Sequence, residues 1–314
     1  MTKEEFNIVK IDAVILWVDG NDEAYKSKIS PYLKEDQNST KSFNNRYIQV
    51  DEIEYTVHSI LKYASFINTV FIVTDNQTPE FLKHENLGDK YANVKIVNHT
   101  SIFKGLETNL PTFNSRTIES CIHRIPELSE HFIYLNDDFF IINPTTKADF
   151  FTENGFPILR GFWQQFEADK FYKKEKTEKA SHKAAQEKAA KILGFKKLFR
   201  FKHTPHPMRK STLEAFFNEN PEVFLENIKY KFRNRSQFLP VALANHLEIK
   251  YKTCKIQKDL QLLYFRSYKK PLYWYKFKLN INSKNKLFLG LQSLNKSPKN
   301  ILNFIVSWLK QRTL

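Results

Sequence analysis

Four short runs of aliphatic, β-branched and aromatic residues, each closed by a polar turn, constrain this chain more than any other feature. They are Ile11–Val18, Thr69–Thr74, Val94–Val97 and Phe132–Leu135. Runs that are apolar almost throughout, and not at every second position, predict strands buried on both faces. Between the first two, Ile53, Val57, Ile60, Leu61 and Ala64 recur at the spacing of one helical face. A further helix is predicted over about Arg116 to His123. Strands alternating with helices predict an α/β fold with a mostly parallel sheet. In such sheets ligands gather beyond the carboxyl ends of the strands. Here the first, second and fourth runs end in Asp19-Gly20-Asn21-Asp22, Asp75-Asn76 and Asn136-Asp137-Asp138.

Composition changes after Arg160. Residues Glu167 to Leu193 are rich in Lys, Glu and Ala, with Gly194 placed as a helix stop, which predicts a long exposed helix or helical hairpin. Helix is expected again near Ser211 to Ile228. Over Pro298 to Leu314, Ile301, Leu302, Ile305, Trp308 and Leu309 share a helical face. The organisation expected is an α/β core over residues 1–160, a helical insertion over 161–200, and a basic, helical C-terminal part over 201–314 that completes the catalytic domain.

The Asn136-Asp137-Asp138 turn is the leading site candidate. Adjacent carboxylates on a continuing strand point to opposite faces, but at a strand end the backbone turns and both can approach one ion. Mg²⁺ (or Mn²⁺) held by Asp137 and Asp138 together with phosphate oxygens is the cofactor expected. Gly20, beside Asp19, permits a tight turn and close approach of a ligand. In His203-Thr204-Pro205-His206-Pro207-Met208-Arg209, two prolines stiffen the backbone that carries His203 and His206. Neutral imidazole accepts a proton near neutral pH, and Arg209 or imidazolium stabilises phosphate charge. The run Lys229 to Arg235 offers guanidinium forks for phosphate, or a solvated surface.

The sequence has 49 Lys and Arg against 34 Asp and Glu, a formal charge of +15, which favours anionic partners. Nucleic-acid motifs are missing, and the Phe, Lys and Arg mixture of Phe195 to Lys202 is explained equally well by buried aromatics. Glycine-rich phosphate loops are absent, with 7 glycines in all. Cys121 and Cys254 are too few for a disulfide framework or a cysteine zinc site. The residues Met1 to Phe6 carry no apolar signal stretch, so a cytoplasmic location is expected. A peripheral contact with the inner membrane stays open for the Pro298–Leu314 helix, beside packing on the core.

Taken in order, these segments resemble the Stealth proteins, which include bacterial capsule phosphotransferases and an N-acetylglucosamine-1-phosphotransferase. The resemblance rests on Ile11 to Gly20, on a second region from about Arg46 to Ile142, and on His203 to about Leu247. A weaker fourth stretch is Leu291-Gln292-Ser293-Leu294. The second region includes Asp51-Glu52-Ile53-Glu54-Tyr55, Leu110-Pro111-Thr112-Phe113-Asn114-Ser115, Ile118-Glu119 and Tyr134 to Asp138. Two positions differ from many relatives, with His58 in place of Arg and Asp51 in place of Gly.

The resemblance implies a GT-A-like Rossmann variant, a divalent cation, a UDP-sugar donor and an oligosaccharide or polysaccharide acceptor, and it leaves open a peripheral contact with capsule-assembly machinery. It implies transfer of a sugar-1-phosphate to a glycan hydroxyl, forming a phosphodiester and releasing UMP. By motif, Asp137 and Asp138 handle metal or proton transfer, His203 is an essential polar group or base, and Arg233 clamps phosphate. Asp19, Gly20, Glu52, Asn114, Ser115, His206 and Arg209 are the expected substrate contacts. A metal-dependent glycosyltransferase releasing UDP, and a basic protein that binds polyanions or membrane without catalysis, are the competing readings.

Overall fold

The computed structural model describes residues 10–33, 50–83, 89–167 and 181–314. Its strands are β1 (Ile11–Leu16), β2 (Ile67–Thr74), β3 (Val94–Asn98), β4 (His131–Asn136), β5 (Phe139–Ile141), β6 (Ile158–Gln164), β7 (Leu198–Phe201), β8 (His206–Arg209), β9 (Lys255–Gln257), β10 (Leu262–Phe265) and β11 (Phe288–Leu291). The central sheet has the order β3-β2-β1-β4-β8. Its first four members are parallel, and β8 closes the edge antiparallel to β4. The α/β class and the mostly parallel sheet are therefore as the alternating pattern predicted.

Both faces of β1, β2 and β4 are largely buried, and side chains divide between them with the period of two that a pleated strand imposes. Val14 of β1, Phe71 and Val73 of β2, and Phe132 and Tyr134 of β4 enter one apolar cluster. Ala13 and Ile15, Val70 and Ile72, and Ile133 and Leu135 enter the other. Helix Glu52–Tyr63 covers the second face through Ile53, Val57 and Ile60. Asp51, just before it, sits at φ 56°, the left-handed region that glycine adopts without steric cost. Asp12, also fully buried on β1, is not a site residue. Its carboxylate accepts hydrogen bonds from the Thr69 and Ser129 backbone N–H groups at 3.1 and 2.7 Å and from Asn68 Nδ2 at 3.1 Å.

Two smaller sheets flank the first. One has the order β10-β11-β5 and the other β7-β6-β9. The apolar core runs across the boundaries expected at residues 160 and 200. Ala185 and Ala189 lie in the same cluster as Val14 and Phe132. Of the expected exposed helix, residues 168–180 fall outside the described residues. The described helix, His182–Ile192, buries Ala185, Gln186, Glu187, Ala189 and Ala190, so it is a packed element and not an exposed one. Gly194 follows it at φ 80°, as a helix stop.

The segment Phe195 to Lys202 supplies β7, with Leu198, Phe199 and Phe201 buried. The helix expected over Ser211 to Ile228 is two helices, Lys210–Glu219 and Pro221–Ile228. Pro221 has no N–H with which to continue the first and is well suited to open the second. Helix Lys299–Thr313 packs on helices Glu52–Tyr63 and Leu272–Asn280, burying Ile301, Ile305 and Leu309. Its Arg312 Nε donates to the Ile142 carbonyl at 3.0 Å. Of the two roles left open for this helix, its apolar stripe serves the core.

Candidate active site

Strand pairing places the three acidic turns on one edge. Leu16, at the end of β1, is opposite Val73 of β2 and Asn136 of β4, so Asp19, Asp75 and Asp138 follow the carboxyl ends of three adjacent strands. A cavity of about 300 Å³ opens there, walled by residues from widely separated parts of the chain. Glu52, Ser115, Asp137, Asp138, His203 and Arg233 all line it.

Asp137 and Asp138 form the two-residue link between β4 and β5. Their backbone carbonyls are fixed from two sides. Thr56 Oγ1 donates to the Asp137 carbonyl at 2.5 Å, and the Leu291 N–H to that of Asp138 at 3.1 Å. Burial, then the charges of Asp138 and Glu52, raises the Asp137 carboxyl well above the usual carboxylate range. Burial and then Glu52 do the same for Asp138. Glu52 is itself raised, by burial first, while accepting from the Val50 N–H at 2.6 Å.

These three acids therefore form a patch of self-repelling negative charge with hard oxygen donors, which suits a divalent cation. Among the described residues no group of three His, Cys, Asp or Glu encloses an ion by itself. Asp137 and Asp138 fit the arrangement in which phosphate oxygens complete the coordination.

His203 lies just before β8, which runs antiparallel to β4 and so begins where β4 ends. Its ring sits among Phe139, His182 and Tyr264, with centroids at 5.4, 4.7 and 5.6 Å. Burial, and then the cationic Arg233, Lys202 and Arg266, lower His203 to about 4. The imidazole is thus neutral near pH 7. Arg233 lies on the loop between helices Pro221–Ile228 and Pro240–Lys250 and donates through Nη2 to Ser115 Oγ at 2.8 Å.

Glu119 is not among the expected site residues, although it lies one helical turn after Ser115 and that spacing is the signal. It is buried behind the cavity wall, and burial raises it to about 7 against the lowering effect of Arg233. The Tyr134 hydroxyl lies 3.1 Å from Glu119 Oε1 and 3.0 Å from Asn136 Oδ1, linking this acid to the Asp137-Asp138 turn. Tyr264 and Asn295 also line the cavity, as do Gln292 and Ser293 of the weak fourth stretch. They sit on and after short strands whose sequences carry no periodic signal.

Five expected contacts are placed elsewhere. The Asp19 carboxylate accepts from the Asn21 N–H at 2.8 Å, while its backbone is zipped to the Gln77 side chain at 3.0 and 2.9 Å. Asp19 and Gly20 thus build the turn, and Trp17 and Val18 supply the cavity wall. Asp75 is paired with Lys28 at 2.9 Å. Asn114 is fully buried, capping helix Ser115–Cys121 and donating to the Tyr230 carbonyl and Gln237 Oε1 at 3.0 and 2.8 Å.

His206 is buried against Phe201, ring centroids 4.7 Å apart, and does not line the cavity. Arg209 is a clear correction. It pairs with Glu248 through two hydrogen bonds, at 3.0 and 2.7 Å. Because β8 runs antiparallel to β4, Arg209 lies opposite His131, at the far edge of the sheet from Asp138.

Fold and site together define an α/β protein with a mixed acidic and basic cavity at the carboxyl edge of a mostly parallel sheet. Residues 46–159 match the family model described as Stealth protein CR2, conserved region 2. The chain is 34% identical over 250 residues to a capsular polysaccharide phosphotransferase of Haemophilus influenzae, covering 75% of this chain and 65% of that protein. It is 31% identical over 236 residues to an exopolysaccharide phosphotransferase of Streptomyces coelicolor, covering 74% of this chain and 42% of that protein. Among solved structures, a galactosyltransferase in complex with donor and acceptor sugar analogs aligns over 96% of both chains with a TM-score of 0.45 and 9% identity. The chain belongs to the Stealth family. It spans between 42% and 65% of the length of the two phosphotransferases named.

Proposed function

We propose that this chain transfers a sugar-1-phosphate from a UDP-sugar to a hydroxyl of a capsular or other cell-surface glycan, releasing UMP. The observation that carries this reading is the meeting of Asp138, His203 and Arg233 in one cavity, with Glu52 and Ser115 beside them. The family relatives named as polysaccharide phosphotransferases support the same class of reaction. We read the fold as a GT-A-like variant, with the donor lying across the carboxyl edge of β1, β2 and β4.

In this reaction the acceptor oxygen attacks the phosphorus that carries the sugar. A new oxygen–phosphorus bond forms, the bridging bond to UMP breaks, and the anomeric carbon–oxygen bond is untouched. The acceptor proton passes to a base, for which neutral His203 is suited, and general-base help of this kind contributes about 10²- to 10⁴-fold. Arg233, oriented by Ser115, meets the negative charge that spreads over the transferring phosphoryl group. Trp17, Val18, Tyr25 and Phe113 give the cavity an apolar and aromatic wall suited to the nucleoside end of the donor. With Mg²⁺ or Mn²⁺ bound by Asp137 and Asp138, the ion would neutralise pyrophosphate charge.

Incubation with a panel of UDP-sugars, Mg²⁺ and candidate acceptors tests the proposal. UMP release and a phosphodiester resonance in the phosphorus NMR spectrum are the expected results. Release of UDP would make the protein a glycosyltransferase, and absence of turnover across the panel would count against catalysis with these donors.

A further inference from the structure

Residues 260–314 contain eleven Lys and Arg and no Asp or Glu, so this segment alone holds most of the +15 net charge. At its centre, helix Leu272–Asn280 is apolar on two opposite sides. Tyr275 and Leu279 are buried and pack into the cluster around Phe265 and Tyr268. Tyr273, Phe277 and Ile281 follow each other at four-residue steps on the outer side and are 74%, 56% and 50% exposed.

Exposed large hydrophobics scattered singly need no explanation, but an aligned row on a helix has no role in the core. Lys270, Lys276 and Lys284, all exposed, flank the row. The Lys276 ammonium lies over the Phe304 ring, its Nζ 5.8 Å from the ring centroid.

We propose that this helix face is a docking surface for an anionic lipid bilayer, with Tyr273, Phe277 and Ile281 entering the interface and the lysines meeting acidic headgroups. Aromatic and aliphatic residues on a helix ringed by lysines suit the boundary between headgroups and acyl chains. No helix among the described residues is long and apolar enough to cross a membrane, so the contact is one of lying on the surface. A second copy of the chain is a poor occupant, because pairing these faces would bring two strongly cationic segments together.

The test is co-sedimentation of the chain with vesicles of phosphatidylcholine alone or mixed with phosphatidylglycerol, at low and high salt. Binding is expected only to the phosphatidylglycerol vesicles and is expected to weaken with salt. Removing three lysines by Lys270→Gln, Lys276→Gln and Lys284→Gln should weaken it roughly 100-fold, at about fivefold for each charge. The pair Tyr273→Ser and Phe277→Ser should weaken it about tenfold or more. Tyr273→Trp, which keeps the face intact, should show a blue-shifted emission on these vesicles. No binding to phosphatidylglycerol vesicles, equal binding to both vesicle types, or an unshifted Tyr273→Trp emission would overturn the proposal. So would binding to a soluble polyanion but not to vesicles, or self-association that Tyr273→Ser and Phe277→Ser abolish.

Discussion

Ser115 and Arg233 stand 118 positions apart in the chain and meet through a 2.8 Å hydrogen bond on the wall of the cavity. Ser115 opens helix Ser115–Cys121, whose cap is the buried Asn114. Arg233 is thereby presented by a short loop yet oriented by a core element. Arg233→Ala is expected to lower UMP release by about 10²- to 10³-fold, the usual cost of removing one preorganised donor. Arg233→Lys should recover little of it, since a lysine keeps the charge but not the planar fork. Steady-state kinetics on variants with unchanged circular dichroism checks both. Wild-type-like activity in Arg233→Lys would mean that charge alone suffices.

Glu119 makes stability depend on pH in a definite direction. Its carboxyl titrates near 7 when folded against 4.5 in a model peptide, so between these values the folded chain holds a proton that the unfolded chain has released. Stability therefore falls as pH rises from about 4.5 to about 7. Glu119→Gln removes this contribution, on the order of 3 kcal/mol across the window. Urea unfolding at pH 5 and pH 8 should show a smaller loss in the variant than in the wild type. Parallel losses would show that Glu119 is ionised in the folded chain at both pH values.

His203 is held neutral by burial and by neighbouring cations, at about 4. An acid limb in the rate profile with a midpoint between 6 and 7 would then belong to another group. His203→Ala is expected to cost about 10²- to 10⁴-fold in turnover if the imidazole takes the acceptor proton. Donor binding, measured by calorimetry with a UDP-sugar, should change much less. Equal losses in binding and turnover would instead make His203 a donor contact.

The buried Asp12 carboxylate satisfies the N–H groups of Thr69 and Ser129. Asp12→Ala leaves both without that acceptor in the core, and each such loss costs about 1 to 3 kcal/mol. A fall of roughly 2 to 5 kcal/mol in unfolding free energy is expected from denaturant titration. A change below about 1 kcal/mol would mean that water replaces the carboxylate.

Strands β1, β2 and β4 were legible because both of their faces are covered, which makes their sequences nearly continuous apolar runs, whereas the short edge strand β8 was not anticipated. The edge at which Asp138 lies followed from that pattern alone. Family motifs made the polar cavity residues Glu52, Ser115, Asp137, Asp138, His203 and Arg233 legible, and strand ends pointed independently to Asp137 and Asp138. Neighbourhood in sequence misled at Arg209, because the chain enters β8 beside the site and leaves it at the other edge. It misled again at Asn114, whose amide is consumed by capping. Tyr264 was invisible because β10, β11 and β5 come together from distant segments, and Gln292 was marked only by the weak fourth stretch of the resemblance. The helix break at Asn220 was readable from Pro221, which has no N–H with which to continue a helix.

The antiparallel pairing of β8 with β4 makes the separation between imidazole and carboxylate a matter of sheet register. Tyr134 is opposite His206, and His203 stands three residues earlier. Sliding β8 by one residue would carry His203 about 3.4 Å along β4 and exchange the inward and outward positions of His206 and Pro207. The chemistry of the cavity is thus calibrated by backbone hydrogen bonds deep in the sheet, and mutations that loosen those bonds will mistune it without touching any polar group.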